Sequence, residues 1–184
     1  MLDLDHLIVF LSGPDAVPAL DGFSLDAGMR HEGQGTRNRR LPFPSAYVEF
    51  LWVDEPEVAG LGFPQRCSGA GTGFGVVARG DLPAGDFTDY TVPGGGPALS
   101  LLTASLTDLS LPFVGVFVTD DPDALRPEHR APAQALRHPC GARDLVAVQV
   151  SCPTPPSVTV HGVTFVEGPP GARLTLDGAP GLRL

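Results

Sequence analysis

Twenty-three glycines and twenty prolines are spread along a 184-residue chain whose apolar stretches are all short. Proline removes a backbone donor and glycine lowers helix stability, so long helices are excluded from most of the chain. The runs LIVFL, AYVEFLWV, GFGVVA, PFVGVFV and LVAVQV have the length of strands and lie between Gly- and Pro-bearing turns. With 42% hydrophobic residues the chain can build one sizeable core, so residues 1–184 read as a single domain of many short strands.

Charge narrows the partners. The formal net charge is −9, lysine is absent, and the only local basic cluster is Arg37, Arg39 and Arg40. Nucleic acid and anionic membranes are bound mainly through clustered positive charge, so neither is an expected partner. No apolar run approaches the roughly 18 residues of a membrane span. Asp3 and Asp5 stand where the positive region of a secretory leader would be. Cys67, Cys140 and Cys152 are odd in number and lack CxxC spacing, which suggests neither a disulfide framework nor a zinc ribbon; a reducing cytoplasm is the expected compartment.

Along the chain, residues 1–56 give the order βαβββ: a strand at 4–11, a turn or two of helix opened by Pro14, Asp15 and Ala16, and strands at 24–29, 36–41 and 46–53. Residues 71–118 supply middle strands in GFGVVAR and PFVGVFV, with a further strand pair expected in LSLLTASLTDLS. The intervening TVPGGGP lacks the Lys-Ser/Thr of a phosphate loop. Residues 119–143 form a proline-rich connection. Residues 144–184 offer strands in DLVAVQVS, SVTVHGVTFVEG and ARLTLDG. Between DHLIVFLSGP and DLVAVQVSCP the Asp, one Val, the Ser and the Pro coincide, so 144–184 reads as a degenerate second copy of the first module, poor in helix, with Leu145 in the place of His6.

Two residues stand out chemically. Alternation in the first strand puts His6, Ile8 and Phe10 on one face and Leu7, Val9 and Leu11 on the other. In AYVEFLWV it places Glu49 with Tyr47, Leu51 and Val53. A carboxylate in such a strand needs a partner, a metal or a raised pKa. Arg40 or Arg37 across the strands would satisfy Glu49 structurally, and His6 at a strand's start is equally consistent with a satisfied core histidine. Taken together, a His and a Glu on neighbouring strands are plausible ligands for Zn, Ni, Mn or Fe.

LDHLIVFL, HEGQGTRNRRLPF and AYVEFLWVDEP resemble the glyoxalase-like domains of the vicinal oxygen chelate superfamily, and LRHPCGARDLVAVQVSCP is similar to a segment of the same branch. The resemblance is good over residues 3–56 and loose over the rest. It implies an α+β fold in which paired βαβββ modules form a curved mixed β-sheet cup. It also implies that His6 and Glu49 are one metal pair, with Leu145 and either Thr175 or Leu176 where the second pair would stand. His138 is then the first choice for a third ligand, ahead of His31 and His129. Asn38 would bond a substrate oxygen, Arg40 a carboxylate or phosphate, Tyr47 would line the wall, and Glu49 could act as base. The implied functions are a divalent-metal-dependent lyase, isomerase or dioxygenase acting on a small oxygenated metabolite, or a metal-free binder of a drug or metabolite. A homodimer is common in the family, with GFGVVAR as an apolar edge for pairing across chains.

Overall fold

The computed structural model describes residues 1–184 apart from Gly94, Gly96 and the side chain of Arg130; the two glycines belong to the TVPGGGP stretch. The first half comprises β1 (Leu2–Phe10), a single 3-10 turn at Pro14–Ala16, β2 (Arg30–His31), β3 (Thr36–Pro42) and β4 (Tyr47–Val53). Helix α1 (Phe63–Cys67) leads into β5 (Phe74–Gly80), β6 (Phe87–Tyr90), β7 (Leu99–Leu102), α2 (Thr103–Thr107) and β8 (Phe113–Val118). A connection holding α3 (Pro127–Arg130) precedes β9 (Asp144–Cys152), β10 (Val163–Glu167), β11 (Gly171–Asp177) and β12 (Leu182–Arg183).

Strands β1 to β8 form one eight-stranded sheet in the order β2-β3-β4-β1-β5-β8-β7-β6, curled into a half-barrel. Its two halves repeat one plan. β1 pairs in parallel with β4, β5 pairs in parallel with β8, and β1 and β5 join the halves antiparallel. This is the expected α+β cup of paired modules, with the half at 74–118 poor in helix. Residues 81–86 link β5 to β6 as a loop, and the short α2 follows the third strand of that half instead of the first.

The partner module, however, is 74–118. Residues 144–184 do not join the cup: β9 to β12 make a separate sheet, ordered β10-β9-β11-β12. The similarity between the first strand and β9 has a physical counterpart. Each has one parallel and one antiparallel neighbour, and each antiparallel ladder carries a register shift. Sequence likeness therefore reported a shared strand environment, while the pairing that builds the cup joined two segments with little visible likeness.

Packing explains the continuous apolar runs. Leu7, Val9, Val48, Phe50, Val76 and Ala78 face the rear, against Leu145, Val148, Val150, Ala172, Leu174 and Leu176 of the second sheet. Ile8, Phe10, Leu51, Val77 and Phe113 face the front, against Phe63 and Cys67 of α1. Strands covered on both faces lose the alternation of a half-exposed sheet. GFGVVAR is thus an inner strand, β5, between β1 and β8, and offers no free edge to a second chain; the outer strands of this sheet are β2 and β6.

Two local expectations also change. The strand expected at 24–29 is irregular, because Asp26 diverts the edge bonding: its backbone N–H donates to the Arg40 carbonyl, and its Oδ1 accepts from the N–H groups of Gly28 and Arg40. In LSLLTASLTDLS only Leu99–Leu102 is strand, paired with the upstream β6. The rest turns into α2, where buried Arg66 holds the carbonyls of Ser105 (2.7 Å) and Leu111 (3.1 Å). No helix among the described residues is long and apolar enough to cross a membrane.

Candidate functional site

His6, Asn38, Arg40, Tyr47 and Glu49 all reach the front of the cup, each for a local reason. In β3 the exposed Arg37 and Arg39 alternate with buried Asn38 and half-buried Arg40. Arg40 lies opposite Glu49 in the β3–β4 register, and His6 opposite Tyr47 in β1–β4. In β1 a bulge between Leu4 and His6 interrupts the alternation, so Asp5 and His6 can turn toward each other. His6 Nδ1 lies 2.7 Å from Asp5 Oδ1, and Asp5 Oδ2 lies 3.3 Å from the Arg79 guanidinium, which also donates to the Ser45 carbonyl at 2.8 Å.

The other ring nitrogen, His6 Nε2, faces Glu49 Oε2 at 3.4 Å. The imidazole stacks on Tyr47 with centroids 4.5 Å apart and 19° between planes, and Phe117 stands 6.4 Å away. Asn38 donates its NH2 to Glu49 Oε1. Its orientation is fixed because Asn38 Oδ1 accepts the Met29 N–H at 2.8 Å. That contact requires glycine at position 28, whose φ is +66° and where a Cβ would lie 1.9 Å from the Asn38 carbonyl oxygen. The Asn38 NH2 also sits 3.2 Å from His31 Nε2, which must then be an acceptor; the His31 proton is on Nδ1, donated to Thr36 Oγ1 at 2.8 Å.

Burial by itself would favour neutral His6 and neutral Glu49. For His6, the bonds to Asp5 and Glu49 outweigh burial and raise its pKa to about 9. For Glu49, the bond and charge of His6, then the proximity of His31 and the Asn38 bond, outweigh burial and lower its pKa to about 2. At neutral pH the site is a buried ion pair backed by a second one, Asp5–Arg79.

These residues border a cavity of about 270 Å³ whose far side is apolar: Leu61, Phe63, Val77, Tyr90, Leu99, Phe113 and Phe117. The repeat of the sheet gives Val77 and Phe117 a specific meaning. Val77 is opposite His6 across β1–β5, and Phe117 pairs with Arg79 in β5–β8 as Glu49 pairs with Ile8 in β1–β4. Apolar side chains therefore occupy the second-half counterparts of His6 and Glu49. The positions expected to mark the missing pair, Leu145 with Thr175 or Leu176, lie in the other sheet.

His138 is elsewhere. It is packed against Phe43 and Phe23, its Nε2–H donates to the Pro42 carbonyl at 2.9 Å, and its Nδ1 accepts the Ser24 N–H at 3.1 Å. Both ring nitrogens are used, and the residue staples the 20–24 segment to the end of β3. Burial lowers its pKa against the Pro42 bond, consistent with a neutral ring. His138→Ala is expected to cost about 2 kcal/mol of stability through the two lost bonds. It should leave ligand affinity in the cup unchanged; urea unfolding and a binding titration of the same variant check both statements.

The donor set can be tested against the superfamily's divalent metal. Two ligands about 2.1 Å from a tetrahedral ion lie about 3.4 Å apart, so His6 and Glu49 have the spacing of one edge of such a centre. The remaining positions do not fit: Val77 and Phe117 offer no donor, His31 Nε2 lies 3.6 Å from Glu49 Oε1 but takes the Asn38 NH2, and His138 is engaged elsewhere. Among the described residues no three His, Cys, Asp or Glu side chains are grouped to hold an ion.

A curled sheet of two repeated halves with a His–Glu pair at its centre is the architecture that the resemblance to the vicinal oxygen chelate superfamily implies. Residues 4–88 match the family model "Glyoxalase-like domain", which belongs to the vicinal oxygen chelate superfamily. The crystal structure of a hypothetical protein from Staphylococcus aureus is similar at 14% identity and a TM-score of 0.45, covering 83% of this chain and 70% of that one. No curated protein matches the chain.

Asp5, Arg79, Val77 and Phe117 are the site residues that sequence reasoning did not single out. For Asp5 a signal existed: two consecutive polar residues in an otherwise apolar strand mark a bulge.

Proposed function

We propose that this protein binds a small molecule in its cup without a catalytic metal. One observation carries the reading: the buried ion pair His6–Glu49 faces a wall in which the corresponding positions are Val77 and Phe117. A mostly apolar cavity with one convergent polar group suits binding and orienting a ligand. It also supplies no neutral base, because His6 carries its proton between two carboxylates and Glu49, its pKa held down to about 2, is too weak a base to take a proton near neutrality. A general base must be free to take a proton near the working pH. Asn38 here fixes Glu49, Tyr47 fixes the His6 ring, and Arg40 closes the rim.

The test is elemental analysis of protein prepared with Zn, Ni, Mn and Fe available, beside native mass spectrometry for a bound organic molecule. Metal well below stoichiometric and unaltered by His6→Ala, with an organic adduct lost in that variant, is the expected result. Near-stoichiometric metal that disappears in both His6→Ala and Glu49→Ala would overturn the reading in favour of a metal-dependent lyase, isomerase or dioxygenase.

A further inference from the structure

We infer that the cup selects an uncharged, planar molecule presenting a hydrogen-bond donor and acceptor side by side, as a primary amide or lactam does. This rests on the binding reading above. It starts from the charges in and behind the polar wall, which cancel in pairs. His6 is matched by Glu49 at 3.4 Å, Asp5 by Arg79 at 3.3 Å, and Arg40 by Asp26 at 2.7 Å. His31 spends its ring nitrogens on Asn38 and Thr36, with Nε2 3.6 Å from Glu49 Oε1. A carboxylate entering the cup would find no unmatched cation, since Arg40 would have to give up Asp26. An ammonium would find no unmatched anion. Either would bury a charge without compensation in an aromatic enclosure, which is costly.

The polar wall also has a definite polarity. Glu49 Oε2 accepts and the charged His6 Nε2–H donates, and the two atoms are adjacent. An amide matches both, with its N–H toward Glu49 and its carbonyl toward His6. Rings enclose the rest: Tyr47 is nearly parallel to the His6 plane, and Phe63, Phe113 and Phe117 face it. A cavity of about 270 Å³ has room for a benzene-sized ring with a short polar arm.

Three probes of one shape and different charge test this: benzamide, benzoate and benzylammonium, titrated at about pH 6.5 with the His6 ring resonances as reporter. Benzamide is expected to bind at least about tenfold more tightly than either ion. Glu49→Gln, which keeps the shape and leaves the cup one positive charge in excess, should shift the preference toward benzoate by about tenfold or more. An ion binding the wild type as tightly as benzamide, or a folded Glu49→Gln variant with unchanged preference, would overturn the inference. Binding of none of the three, with no organic adduct in native spectra, would instead overturn the binding reading itself.

Discussion

Replacing Asp5 with alanine is expected to cost about 3–5 kcal/mol of stability, the usual penalty for stripping one partner from a buried ion pair. Asp5 is 1% exposed and touches two cations at once, His6 Nδ1 at 2.7 Å and Arg79 at 3.3 Å. Without it, Arg79 at 2% exposure keeps only the Ser45 carbonyl, and its Nε already has no partner among the described residues. The damage should not stay local. Ser45 is tied to Asp144 at the start of β9, through its N–H at 3.1 Å and its hydroxyl at 2.7 Å, so the Arg79–Ser45 contact links β5 to the seam between the sheets. Asp5→Asn keeps an acceptor for His6 and loses the charge, so its cost should fall between those of wild type and alanine. Urea unfolding of both variants at pH 7 is the measurement. A loss below about 1 kcal/mol for Asp5→Ala would mean that Arg79 finds another anion and that the chain Arg79–Asp5–His6–Glu49 is not what holds the wall.

How much of this was legible in the sequence follows from the range of the interactions involved. Alternation depends on neighbours two residues apart, so it grouped Asn38 with Arg40 and Tyr47 with Glu49 within their strands, while their meeting with His6 in one cup came from the family resemblance. The adjacent polar pair Asp5–His6 hints at a bulge, but which residues of β5 it meets, more than seventy positions away, no local pattern specifies. The partner of the first module was misplaced for the same reason. DLVAVQVSCP and the first strand are both inner strands with one parallel and one antiparallel neighbour, a feature that β5 shares without the sequence likeness. The true partner, β5, carries glycine at position 75, where a Cβ would come within 3.0 Å of Phe113, so close strand packing has erased the likeness. His138 was assigned to a metal by analogy of a short motif. Its actual bonds run to Ser24 and Pro42, a long-range contact that a His-Pro dipeptide does not announce.

Stability should fall on both sides of a weakly acidic plateau, and the signs follow from the two members of the ion pair. The folded pKa of Glu49 is depressed to about 2, below its ordinary value of 4.5, so its contribution is present above the ordinary value and is lost as pH falls toward 2. The folded pKa of His6 is raised to about 9 from 6.5, so its contribution is complete below the ordinary value and is lost as pH rises through 9. Each flank should amount to about 3 kcal/mol. They are two views of one ion pair and do not add at neutral pH. Other carboxylates steepen the acid limb, which makes the alkaline limb the more specific observation. Unfolding measured from pH 5 to pH 10 should show stability declining above about pH 6.5, and the His6 Cε1–H resonance should titrate near pH 9. In His6→Gln that decline should largely vanish, since no proton remains to be lost at the site. A wild-type profile flat across this range, or a His6 resonance titrating near 6.5, would mean the imidazole is neutral in the folded protein. The pairwise cancellation of charge in the cup would then fail, because Glu49 would stand as an unmatched anion against the aromatic wall.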